Sequence, residues 1–130
     1  MTDLEDVYEE VRADPYWGHL RSPGVKLVPG FGCREPRVLL VGEAPGATEN
    51  ARERPFCGPS GKVLDQLMDL AGLRLEDYQP DEKGCPIRPA NSFVTNVLKY
   101  RPVGNRTPNL LEILHGREAL RREWVALGGP

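Results

Sequence analysis

Three stretches carry residue types that can do chemistry. VLLVGEAPG at 38–46 ends an apolar run in a glycine-rich turn bearing Glu43. PFCGPSGKVL at 55–64 places Phe56 ahead of a glycine-rich helix start, and VTNVLKYRP at 94–102 ends a second apolar run in Thr95 and Asn96. A glycine-rich turn after a strand can cradle a phosphate with backbone N–H groups. Here Pro45 removes one donor, and neither G-x-x-x-x-G-K-S/T nor a full G-x-G-x-x-G is present, so a tight turn that simply needs glycine stands beside that reading. Glu43 and Glu49 are carboxylates at the mouth of the turn. They can orient or activate a water, or be solvated loop acids.

Phe56 lies in an otherwise polar loop. Its ring can fill the core or offer a face to a planar ligand. Asn96 follows a β-branched strand, and its amide can donate one hydrogen bond and accept another, as reading a base edge requires. Asparagine at a strand end is also a common turn former. Lys99, Arg101 and Arg106, with Asn105 and Thr107, make a short basic and polar cluster that can hold backbone phosphates or form a solvated loop.

The remaining reactive types are scattered. His19 and His115 are isolated and read as structural or surface residues. Cys33, Cys57 and Cys85 are odd in number with no C-x-x-C pair, which argues against a disulfide framework and favours a cytoplasmic setting. Three cysteines cannot supply a four-cysteine metal or iron–sulfur site in one chain. The net charge of −2 gives no general affinity for nucleic acid, so any such contact must be local. No apolar run approaches the roughly 20 residues of a membrane span. The acidic start, MTDLEDVYEE, lacks the order of a secretion signal.

These residues need elements to position them. Leu4, Val7, Tyr8 and Val11 have helical spacing over residues 4–12, with Thr2 or Asp3 as cap and Asp14–Pro15 as the stop. Residues 22–36 read as loop with a short strand at 26–28. Residues 37–41 form a strand whose unalternating apolar run predicts burial on both faces. Residues 42–60 read as one long irregular loop, a length usually tied to function. A helix over 61–71 follows, with Ser60 as cap, an apolar face of Val63, Leu64, Leu67, Met68 and Ala71, and Gly72 as its end. Residues 74–91 are a polar loop, 92–97 a second strand and 101–108 a basic loop. A helix over 109–122 carries Leu110, Leu111, Leu114 and Leu120, and 124–127 starts a third strand. Strand, helix, strand, helix, strand is the order of right-handed crossovers in a parallel sheet, with the polar groups gathered at the strands' C-terminal ends. The chain is read as a single α/β domain over 1–130, with 1–27 an N-terminal helix and loop and 28–130 the core.

VGEAPGATEN at 41–50, RPFCGPSGKVLDQLMDLAGL at 54–73 and VTNVLKYRPVGNRTP at 94–108 together resemble the uracil-DNA glycosylase superfamily, closest to its family 4 type. A weaker match is VALGGP at the end, and the resemblance covers about residues 28–130. It implies a three-layer α/β/α sandwich around a parallel sheet, hydrolysis of the N-glycosidic bond of deoxyuridine in DNA, and a role in base excision repair. By the same resemblance Gly42, Glu43, Ala44, Pro45 and Gly46 line the pocket, with Glu43 placing the attacking water and Glu49 at a second acid position. Phe56 stacks on the flipped uracil, Asn96 bonds its edge, and Lys99, Arg101, Asn105 and Arg106 lie near the DNA backbone.

Two departures are visible. Tyr100 stands where the family often has the cysteine of a K-C-R-P run, and no N-terminal C-x-x-C exists. The resemblance therefore implies no iron–sulfur cluster and a monofunctional, water-using enzyme without metal or other cofactor. The family's last motif, which supplies a histidine to the leaving base, should follow VALGGP, where this sequence stops. A shortened sheet, lacking the family's last strand and helix, would expose apolar surface near Trp124 and could pair with a protein partner or a second copy. The alternative to a working enzyme is a catalytically impaired relative that binds DNA or protein. A nucleotide-binding regulatory domain built on the glycine turn is a third reading.

Overall fold

The computed structural model describes residues 3–72, 82–83, 85 and 91–129. Helix α1 spans Leu4–Ala13 and starts in a reciprocal cap: the Asp6 N–H donates to Asp3 Oδ1 (3.1 Å) and the Asp3 N–H to Asp6 Oδ2 (3.3 Å). Leu4, Val7, Tyr8 and Val11 are all buried, as their spacing predicts. Asp14 ends the helix and caps the 3-10 turn Pro15–His19.

Three strands form one sheet in the order β1 (Phe31–Gly32), β3 (Ser92–Asn96), β2 (Val38–Gly42). β2 and β3 are parallel, and β1 runs antiparallel to β3. The α/β class holds, but the sheet is mixed rather than parallel. The expected strand at 26–28 is absent because its amides are used elsewhere. The Lys26 N–H donates to the Asn50 side chain (2.8 Å) and the Val28 N–H to the Lys99 carbonyl (2.7 Å), so the chain pairs with β3 only after turning at Pro29–Gly30. β2 is half-buried instead of covered on both faces, with Val41 exposed, because it is an edge of this sheet among the described residues. β3, in the middle, is buried along its whole length.

The segment after β2 is more ordered than a loop. It contains helix α2 (Ala47–Arg52), with Glu49 at its third position. Helix α3 (Pro59–Leu70) follows, starting from Gly58 rather than Ser60, and Gly72 lies at positive φ just past its end. Of its apolar positions Met68 is buried, whereas Val63, Leu67 and Leu70 are 56%, 57% and 85% exposed. The loop expected at 74–91 lies mostly outside the described residues.

Helix α4 (Leu110–Ala126) starts at Asn109, whose side chain caps the Glu112 N–H (2.9 Å) while Glu112 Oε1 accepts from the Asn109 N–H (2.9 Å). It absorbs residues 124–126, so no third crossover strand starts there. The reason lies in its buried face: Glu112, Gly116, Ala119 and Glu123 follow helical spacing, and Leu127 continues it. The leucines that give it an apolar pattern are largely outside that face: Leu110 is 72% and Leu111 61% exposed, Leu114 is exposed and Leu120 half-buried. The packed core draws on α1 (Leu4, Val7, Val11), Trp17, Leu20, Phe93 and Leu98, with Ala119 and Leu127 from the end of the chain. Among the described residues no helix is long and apolar enough to cross a membrane.

Candidate nucleobase site at the strand ends

The parallel pair ends with Gly42 opposite Asn96. Beyond it the backbone stays tied, for the Val97 N–H donates to the Gly42 carbonyl (2.9 Å) and the Leu98 N–H to the Glu43 carbonyl (3.0 Å). A Cβ built on Gly42 would lie 2.4 Å from Asn96 Oδ1 and 2.4 Å from Phe56 Cζ. The amide and the ring therefore converge on the bare Cα of Gly42, which only glycine permits. Asn96 is buried and Phe56 half-buried. Phe56 has φ of 55°, a left-handed conformation that costs a non-glycine residue about 1–2 kcal/mol. Surrounding bonds hold it there.

Glu49 supplies them. Its carboxylate is buried, and Oε1 accepts from the Gly46 N–H (3.0 Å) while Oε2 accepts from the N–H groups of Cys57 (3.0 Å) and Gly58 (2.6 Å). One side chain thus ties the glycine turn after β2 to the loop that presents Phe56. Glu43, by contrast, is exposed. It lines an open cleft of about 450 Å³ with Ala44, Pro45, Gly46, Pro59, Ser60, Asn105 and Arg106.

The basic cluster divides. Arg101 donates through Nε to Asn105 Oδ1 (2.7 Å). Arg106 grips Glu112 with both terminal nitrogens (2.8 Å each). Glu112 is fully buried and also takes His19 Nε2 (2.7 Å); the Arg106 hydrogen bond, first, with help from the Asn109 N–H and His19, holds its carboxyl down at about 2. Lys99 does not join the exposed basic residues. It is 1% exposed and pairs with Glu123 inside the protein, so a contact from its ammonium to DNA is sterically closed. The two histidines are engaged around α4: His19 with Glu112, and His115 stacked on Tyr16 at 3.6 Å between ring centres.

The thiols do not offer a ligand set. Burial and a hydrogen bond to Cys85 push the Cys57 thiol up to about 12, well away from a thiolate. Cys33 Sγ accepts from the Glu35 N–H (3.4 Å). Tyr100 is buried beside Trp17, with Arg21 over its ring at 5.4 Å and Arg21 Nε donating to its hydroxyl (3.1 Å). Among the described residues no group of three or more His, Cys, Asp or Glu is placed to hold a metal ion. This donor set does not fit a cluster held by four thiolates.

Glu112 and Glu123 are acids that sequence reasoning passed over, and Glu49, expected at a second acid position of the site, lies buried with its oxygens on backbone N–H groups. The Asn109-x-x-Glu112 spacing is a capping signal that could have revealed one of them. Helical spacing marks Tyr8 as buried, but nothing local pairs it with Glu123.

A small α/β domain with an amide, an aromatic ring and a bare glycine converging at two parallel strand ends is a site class suited to a planar, edge-bonding ligand. A sequence profile of the Uracil DNA glycosylase superfamily matches residues 29–130. The chain belongs to that superfamily. It is 32% identical over 127 residues to the type-4 uracil-DNA glycosylase of Archaeoglobus fulgidus, covering 98% of this chain and 56% of that protein. It is 41% identical over 86 residues to the type-4 enzyme of Pyrobaculum aerophilum (66% and 37% covered). It is 36% identical over 128 residues to the type-5 uracil-DNA glycosylase of Thermus thermophilus (90% and 54%). The chain spans about half the length of the curated relatives it matches.

Proposed function

We propose that this chain acts on uracil in DNA, carrying the base-reading side of a uracil-DNA glycosylase site and hydrolysing the N-glycosidic bond of deoxyuridine. The observation that carries the reading is the convergence of Asn96 and Phe56 on Gly42. A target base must leave the stack, at a cost of a few kcal/mol that is smallest for weakly paired bases. Stacking on Phe56 returns about 1–3 kcal/mol. The Asn96 amide supplies the donor and acceptor for the pyrimidine edge.

Glycosidic cleavage builds positive charge on the sugar and negative charge on the leaving base. Glu43, exposed in the cleft beside the turn, is the carboxylate available to orient water and stabilise the sugar cation. Ala44, Pro45 and Gly46 wall that cleft, and in this reading Arg101, Asn105 and Arg106 contact the DNA backbone. Glu49 serves this chemistry by positioning, since its oxygens are committed to three backbone N–H groups. The reading includes no iron–sulfur cluster, on the support of Tyr100 and the paired Cys57 and Cys85; a stoichiometric cluster in the anaerobically purified protein would overturn that part. It also includes a cytoplasmic location, for which cysteines with no disulfide framework are the support.

A second reading, binding without turnover, is favoured by one observation: His19 and His115 are both occupied around α4, and neither belongs to the Gly42 convergence. The position of β2 at the sheet edge among the described residues and the exposed Val63, Leu67 and Leu70 support pairing with a protein partner or a second copy, which sedimentation analysis tests. Uracil release from single- and double-stranded DNA decides between the two readings, with Asn96→Ala and Phe56→Ala as controls. Release lost in both variants supports the enzyme. Uracil-dependent binding without release supports the binding module. Neither binding nor release removes both.

A further inference from the structure

Behind Asn96 lies a buried polar chain that the proposed function leaves without a part. Lys99 is 1% exposed and Glu123 0%. The Lys99 ammonium donates to Thr95 Oγ1 (3.1 Å) and to the backbone carbonyl of Asn96, and it forms an ion pair with Glu123, Nζ to Oε1 2.6 Å. Glu123 Oε2 accepts from the Thr95 hydroxyl (2.8 Å) and from the Tyr8 hydroxyl (2.7 Å), and the Tyr8 oxygen in turn accepts from the Gly30 N–H (2.9 Å). The chain of bonds thus runs from α1, through α4, to the last residues of β3.

We infer that Lys99 and Glu123, with Tyr8 behind them, are positioning residues that set the orientation of Asn96, making α1 and α4 part of the base-reading site. The inference rests on the proposed function for its meaning, but its geometry stands without it. A buried ion pair adds little net stability, because the desolvation of both charges offsets their attraction, and an apolar pair of similar volume often does as well. An apolar pair cannot donate to the Asn96 carbonyl. On the β2 side the strand end is already held, through the bonds from the N–H groups of Val97 and Leu98. Lys99 holds the other side. With both sides held, the Asn96 backbone is fixed where its side-chain oxygen lies against the bare Cα of Gly42.

Two features support the chain's outer links. Gly116 lets α4 approach closely: a Cβ there would lie 2.5 Å from the Val97 carbonyl. Two turns on, the same helix face presents Glu123. Burial, with the Glu123 charge next, raises the Tyr8 phenol far above its ordinary value, so it remains a neutral donor to the carboxylate. Tyr8 also lies outside the residues matched by the superfamily profile.

The test uses two variants and two readouts. Tyr8→Phe removes only a hydroxyl. The double variant Lys99→Met with Glu123→Leu exchanges the ion pair for an apolar one and avoids a lone buried charge. The first readout is the side-chain amide resonance of Asn96 in a 15N spectrum, assigned by its loss in Asn96→Ala. It should move in both variants, further in the double one. The second is uracil release: kcat should fall about 10- to 100-fold in the double variant with KM little changed, since misplacement of a positioned group costs up to about 10²-fold. A folded double variant with an unmoved Asn96 resonance overturns the inference. Should the double variant fail to fold, an unmoved resonance in Tyr8→Phe overturns it instead. If the unaltered protein releases no uracil, the proposed activity fails while the amide resonance still decides the positioning claim.

Discussion

Gly42 and Asn96 end their strands as register partners, and the Gly42 Cα faces the Asn96 side-chain oxygen so closely that a methyl group there would lie 2.4 Å away. The same methyl would meet the tip of Phe56 at 2.4 Å. Gly42→Ala should therefore move the amide and the ring together. The expected result is a loss of uracil release of roughly 10²-fold, larger than the accompanying loss of stability would cause at room temperature. Excision kinetics beside a thermal melt check it; unchanged kinetics would show that neither side chain is constrained by this contact.

Glu49 offers a different prediction, because its oxygens bind backbone rather than the cleft. Glu49→Ala leaves the N–H groups of Gly46, Cys57 and Gly58 without their acceptor. Hydrogen bonds to a charged group are each worth about 1.5–3 kcal/mol, so a loss of at least ~3 kcal/mol is expected in urea unfolding. Glu49→Gln should recover part of it, since its amide keeps only one acceptor oxygen. A destabilisation under about 0.5 kcal/mol in the alanine variant would refute the anchoring role.

Acid should weaken the joint between α4 and the basic loop. The folded Glu112 carboxyl is held at about 2, below its ordinary 4.5, chiefly by Arg106. A depressed folded pKa means the contribution is complete above the ordinary value and disappears as pH falls through the folded one. Wild type should thus exceed Glu112→Gln in stability at neutral pH, with the gap shrinking between pH 4.5 and about 2. Urea titrations across that range test it, and a gap independent of pH would show that the charge is not what matters.

Helix α4 allows a paired comparison. Replacing exposed Leu111 by Lys should change stability by less than about 0.5 kcal/mol. Gly116→Ala drives a methyl to 2.5 Å from the Val97 carbonyl and should cost about 1–3 kcal/mol. The reverse order would mean that the leucine face, not the small-residue face, packs inward.

That comparison marks where sequence reading failed and why. The leucines of α4 have helical spacing, and period alone cannot say which stripe is covered. The buried stripe carries two glutamates, legible only once Arg106, Lys99 and Tyr8 are seen to meet them. The same holds for α3, whose apolar positions are real but largely exposed in the described fold.

The sequence by itself determined helix α1 with its cap, the presence of α3 and α4, the two parallel strands, the superfamily, and the three segments that carry Gly42, Phe56 and Asn96. These depend on residues near one another in the chain, where turn chemistry and hydrophobic period act directly. Tertiary structure alone decided that Glu49 is an internal anchor, that Lys99 is buried, that β1 runs antiparallel and that α4 continues through 126. Most of those outcomes depend on a partner far away in sequence: Lys99 meets Glu123, β1 meets β3, and Tyr8 stands 115 positions before Glu123. A side chain's exposure and charge pairing are set by such partners, and no local pattern encodes them.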